Sequence, residues 1–104
     1  MSHYQLVVHC EHLESAGTED EFNEWYRSHI ANLRKLPGVT SVQRSRLLDT
    51  PPPTRERLRY LTIYDIQTDD IIAFQRSIVD AEFKKSPTFN DDTKCVGFFE
   101  VLDD

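Results

Sequence analysis

The chain has 104 residues, 38% of them hydrophobic and 29% charged, with a formal net charge of −6. That length suits one domain with one modest core, and the composition fits a globular chain rather than a disordered or membrane-embedded one. The acidic excess argues against nucleic acid and anionic membranes as partners, because both are bound through surplus Lys and Arg.

Tyr4 to His9 is rich in β-formers and is followed by the polar stretch Glu11 to Gly17, which predicts a first strand. The run Tyr4 to Cys10 is too short for a signal peptide or a membrane span and no basic region precedes it, so a cytoplasmic protein is expected. Thr18 and Glu21 form a capping box, in which the hydroxyl accepts from the Glu21 amide and the carboxylate returns to the Thr18 amide. From there Phe22, Trp25, Tyr26, Ile30, Leu33 and Leu36 recur at three- and four-residue steps, the stripe of a helix lying on a sheet. Pro37 and Gly38 end that helix.

Val39 to Leu48 alternates, with Val42, Arg44 and Arg46 opposite Ser41, Gln43 and Ser45, and predicts a second strand with neither face plainly buried. Three prolines between Thr50 and Thr54 predict a loop. Arg57 to Ile66 predicts a third strand, placing Leu58, Tyr60, Thr62 and Tyr64 opposite Arg59, Leu61, Ile63 and Asp65. Thr68, Asp69 and Asp70 supply a cap for a second helix through Ile71, Phe74, Ile78 and Val79 to about Phe83. After a loop from Ser86 to Asp92, Thr93 to Leu102 closes the chain as a fourth strand.

The order strand-helix-strand, twice, predicts an α+β, ferredoxin-like split βαβ-βαβ domain over residues 1–104, a four-stranded antiparallel sheet with two helices on one face. The uncovered face, together with six Phe, four Tyr and one Trp, predicts a homodimer whose sheets close into an α/β barrel. Such an interior suits a small-molecule ligand.

Phe22, Trp25, Tyr26, His29, Leu33, Pro37 and Gly38, within EFNEWYRSHIANLRKLPGVTSVQRSRL, resemble the first-helix signature of EthD-type members of the dimeric α/β-barrel superfamily. The segment RYLTIYD, Arg59 to Asp65, is also similar to its counterpart there. The resemblance implies a homodimer with a cavity between sheet and helices, and it implies His29 as the residue turned toward that cavity. The superfamily contains cofactor-free cyclases, isomerases, cofactor-independent monooxygenases, haem-degrading enzymes and dehydratases, so the fold fixes a pocket rather than a reaction.

His29 lies four residues after Trp25 and seven after Phe22, on one helix face, and its intrinsic pKa suits proton transfer. Tyr60 and Tyr64 offer phenols to a ligand carbonyl or phenolate, and Arg44 offers a guanidinium to a carboxylate or enolate. Trp25, Tyr26 and Phe22 form the expected apolar wall, and His9 is a further candidate lining residue. His9, Cys10 and His12 do not make a metal site, since alternation sends His9 and Cys10 to opposite faces. Cys10 and Cys95 stand in no redox or metal spacing and are expected as reduced, buried apolar side chains. No phosphate-binding loop, dinucleotide fingerprint or nucleophile elbow is present.

The expected activity is therefore cofactor-free and metal-free acid/base chemistry on a small aromatic, polyketide-like or catabolic molecule: cyclisation, isomerisation, dehydration or another elimination. His29 serves as acid or base, and Tyr60 or Tyr64 polarises a carbonyl. The alternatives are a cofactor-independent monooxygenase and a non-catalytic binding or stress-related dimer.

Overall fold

Four antiparallel strands and two helices make up the ferredoxin-like fold in the computed structural model, which describes residues 2–48, 58–83, 86–90 and 93–102. The elements are β1 (Ser2–Cys10), α1 (Glu19–Leu33), β2 (Val39–Arg46), β3 (Tyr60–Thr68), α2 (Ile71–Asp80) and β4 (Cys95–Glu100), with a 3-10 turn at Glu14–Ala16. The sheet order is β2-β3-β1-β4, so each crossover passes over one face and both helices lie on that side. The three prolines, Arg57 and the acid pairs Asp91–Asp92 and Asp103–Asp104 lie outside the described residues.

Thr18 caps α1, its hydroxyl accepting from the Glu21 amide at 3.1 Å. The Glu21 carboxylate accepts from the Thr18 hydroxyl at 3.3 Å rather than returning to the Thr18 amide. The helix α1 ends at Leu33, short of Pro37: the Arg34 amide makes the last four-residue bond, to Ile30, and Lys35 and Leu36 donate three residues back and tighten the last turn. Gly38 then adopts φ 103°, a conformation suited to glycine, and a Cβ there would meet the Gln67 carbonyl at 3.0 Å. Asp70 caps α2 through the Ala73 amide at 3.0 Å. That helix ends at Asp80 rather than near Phe83, because Glu82 takes φ 49° and turns the chain back toward α1.

The register separates the two faces of the sheet. Tyr4, Leu6, Val8 and Cys10 of β1 pair with Ile66, Tyr64, Thr62 and Tyr60 of β3 on the helix side. Val42 and Arg44 of β2 extend that side from an edge strand, which is why they are only half-buried. Leu6, Leu33, Tyr64, Ile66 and Phe74 form one buried cluster, and Cys10, Phe22, Tyr26 and Tyr60 form a second. Val8 and Ile30 pack against both.

The opposite face carries no helix. It presents Val7, Leu61 and Ile63 half-buried, Phe99 56% exposed, and the Asp65 carboxylate. Asp65 accepts from Ser41 at 2.8 Å and Gln5 at 3.1 Å and pairs with His3 at 2.7 Å, which together hold its carboxyl below the usual range. Cys95 corrects the expectation of two buried cysteines: it sits on the β4 edge strand opposite His9, on the open face, and is exposed.

Candidate functional site

Between the helix side of the sheet and the two helices lies a cavity of about 350 Å3, within the size range of small-molecule sites. β1 and β3 supply its floor with Leu6, Val8 and Tyr64, and α1 supplies one wall with Trp25, Tyr26, His29 and Leu33. Ile78 and Val79 of α2, followed by Glu82 and Phe83, form the other wall, and Phe89, Lys94 and Val96 complete the rim. The lining is overwhelmingly apolar and aromatic, so water gains few hydrogen bonds there and a flat apolar ligand displaces it readily.

His29 is the lining histidine. Its ring stacks on Trp25 at 4.9 Å and 16°, and meets Tyr26 and Phe83 edge-on at 5.9 and 5.6 Å. This apolar packing desolvates the ring and lowers its pKa, so the imidazole is neutral at pH 7. His29 also borders a more open groove with Ser28, Asn32 and Lys35. Its ring thus faces a largely apolar cavity on one side and a more polar groove on the other.

Tyr64 is 1% exposed, and its hydroxyl finds no hydrogen bond among the described residues. Burial pushes the Tyr64 and Tyr26 phenols up, so both stay protonated. The Cys10 thiol, 3.9 Å from the Tyr26 oxygen, is pushed up to about 11 by burial and has little thiolate character.

Trp25, Tyr26, His29 and Tyr64 thus converge on one cavity, while four other candidates stand elsewhere. Phe22 is wholly buried among Tyr26, Tyr60 and His12 and does not line the cavity. Tyr60 shares the Tyr64 face, but its hydroxyl donates to the Glu19 carboxylate near the start of α1. That bond comes first in holding the Glu19 carboxyl below the usual range, and burial, then Glu19, raises the Tyr60 phenol. Arg44 is boxed by rings, its Cζ 4.5 Å from the Tyr26 centroid, and donates to Asn23 Oδ1 at 2.7 Å. His9 points from the uncovered face, its Nε2 3.0 Å from the Leu58 carbonyl oxygen. His9 borders a separate hollow with Ser45, Arg46 and Leu61.

Sequence reasoning missed Leu6, Val8, Ile78, Phe83, Phe89 and Lys94 as lining residues. Strand alternation carried the signal for Leu6 and Val8, and helical spacing carried it for Ile78. Phe83, Phe89 and Lys94 sit outside regular elements, where no periodicity points.

Among solved structures, the chain is similar to the haem-degrader MhuD of Mycobacterium tuberculosis, determined with two haems bound in its active site. The two share 20% identity and superpose with a TM-score of 0.58 over 97% of each chain, a likeness of fold. No protein-family model matches the chain. No curated protein sequence matches it either. Among the described residues no helix is long and apolar enough to cross a membrane.

Proposed function

We propose that the chain is one subunit of a homodimer joined through the uncovered sheet face, and that each subunit oxidises a small aromatic substrate with molecular oxygen in its helix-side cavity. The observation that carries the reading is His29, a neutral base set between a dry aromatic cavity and an open groove. The fold it shares with a haem-degrading enzyme supports the oxidative form of the reading. The EthD-type resemblance of the α1 sequence is the finer form of the same reading.

The chemistry balances without an added reductant. His29 removes a proton from a benzylic or phenolic position, and the Tyr64 hydroxyl donates to the adjacent substrate oxygen. The resulting carbanion adds molecular oxygen and is protonated to a hydroperoxide, which loses water to leave a carbonyl. In sum, a ring methylene and one molecule of oxygen give a ring carbonyl and one molecule of water, with all four electrons coming from the substrate.

A second reading, cofactor-free cyclisation or elimination, is favoured by the same base and donor, since neither is specific to oxygen. Oxygen uptake with an anthrone panel separates them. Uptake of one oxygen molecule per carbonyl formed, reduced roughly a hundredfold in His29→Ala, supports oxidation. Turnover that continues without oxygen assigns the acid/base reaction, and binding without turnover assigns a carrier. Haem titration belongs in the same panel because MhuD binds it. Light scattering showing a stable monomer at micromolar concentration refutes the dimer.

A further inference from the structure

The helix side of the sheet holds a positive charge, Arg44, that no carboxylate among the described residues pairs with. Guanidinium groups packed against a protein interior normally pair with a carboxylate. Here Cζ lies 4.5 Å from the Tyr26 ring, 4.8 Å from Tyr60 and 5.5 Å from Phe22. Its hydrogen bond to the neutral Asn23 carboxamide satisfies one nitrogen, and no carboxylate pairs with it among the described residues. Nε is buried with no partner among them.

Two further unpartnered polar atoms lie beside it. Thr62, directly across the β2–β3 ladder from Arg44, has a buried hydroxyl without a hydrogen bond among the described residues, and so does Tyr64, the next residue on that face. The Tyr26 hydroxyl influences both from nearby, yet neither gains a hydrogen bond of good geometry from it. A buried polar atom left unmet destabilises the fold. Tyr64 opens onto the cavity, and the Arg44 charge favours the ionised forms of both Tyr64 and Cys10. Three polar groups without a hydrogen-bond partner at the named atom among the described residues stand together, one of them a cation and one at the cavity floor, and the field there favours a negatively charged ligand.

We propose that Arg44 is the counter-charge that makes the cavity take its ligand as an oxyanion, a phenolate or enolate whose oxygen sits on Tyr64 Oη. This rests on the proposed cavity reading and deepens it, because molecular oxygen reacts with the anion of such a substrate rather than with its neutral form. Arg44 acts through space from behind Tyr26, as a positioning charge rather than a catalytic group. The other titratable groups facing this region are Cys10 on β1, Glu11 and His12 just after it, Glu19, Tyr26 and His29 on α1, Tyr60 and Tyr64 on β3, and Glu82 and Lys94 at the rim.

The test uses the intact protein and 4-nitrophenol, whose ionised form is distinguished by its visible absorbance. For the wild type, affinity rises with pH through the pKa of the probe, and the bound probe absorbs as phenolate. Arg44→Met raises the pKa of the bound probe by about one unit or more, equivalent to tenfold weaker phenolate binding, while neutral-phenol binding holds. Arg44→Lys restores most of the shift. Affinity that falls with rising pH in the wild type overturns the proposal even if Arg44→Met does not fold. Equal loss of phenol and phenolate binding in Arg44→Met overturns it too, leaving a purely structural ring-stacked Arg. Failure of the wild type to bind either form removes the cavity reading itself, and this inference with it.

Discussion

Replacing Phe22 decides whether α1 carries a structural ring or a ligand wall at that position. The ring is fully buried, with centroids 5.2 Å from Tyr60, 5.5 Å from Tyr26, 5.8 Å from His12 and 6.3 Å from Trp25. Removing it to Ala costs about 3–5 kcal/mol, a large part of the roughly 5–15 kcal/mol that holds a small domain together. Phe22→Leu is therefore the better variant, since it keeps most of the volume and loses the ring geometry. Each aromatic pair contributes about 0.5–1.5 kcal/mol beyond its area, and the Arg44 contact about 0.5–2 kcal/mol when desolvated. Leu recovers part of this by packing, giving an expected loss of about 1–3 kcal/mol, or roughly 5–20 °C in melting temperature. Urea melts at fixed protein concentration read the stability, and ligand affinity per folded molecule reads the site. The expected result is a lower midpoint with unchanged slope and unchanged affinity. An unchanged midpoint with tenfold weaker binding refutes the core assignment.

Thr18→Ala removes the acceptor of the Glu21 amide and is expected to cost about 1 kcal/mol in chemical denaturation; no change shows that the cap carries no load. His29 sets a pH dependence: its folded pKa lies below the unfolded value of about 6.5, so between the two the unfolded chain binds the extra proton. The stability it contributes is complete above that unfolded value and is lost as pH falls toward the folded one. Glu19 and Asp65, also depressed, lose theirs only lower, in the carboxylate range, so the windows separate. His29→Gln should flatten the slope just below about pH 6.5 in melting experiments, and an unchanged slope there sinks the assignment.

The elements were legible because each was written in a local period. The Thr18 cap, the α1 stripe and the β3 alternation all survive in the structure, and Trp25 and His29, four residues apart, do stack. What the periods do not encode is position along an element. Phe22 and His29 share a helix face to within about 20°, yet seven residues separate them by roughly 10 Å along the axis. The first therefore sits in the core and the second at the cavity. Tyr60 and Tyr64 likewise share a strand face but stand about 13 Å apart, so one meets Glu19 and the other the cavity floor. For His9 the strand face was readable, but which face the helices would cover was not.

The two sides of the sheet treat polar groups in opposite ways, and the contrast bears on what covers each. On the uncovered face the Asp65 carboxylate is already engaged by Ser41, Gln5 and His3, so a second copy laid over Val7, Leu61, Ile63 and Phe99 meets a charge that is internally satisfied. On the helix side Arg44 Nε, Thr62 Oγ1 and Tyr64 Oη are buried with no hydrogen-bond partner among the described residues, although Val, Ile or Leu would fill the same strand positions without that cost. A face that needs only apolar cover suits a protein partner. A face with unmet donors around an apolar cavity suits a ligand that brings the missing oxygen, and such breaks in local consistency are expected where function rather than packing selects the residue.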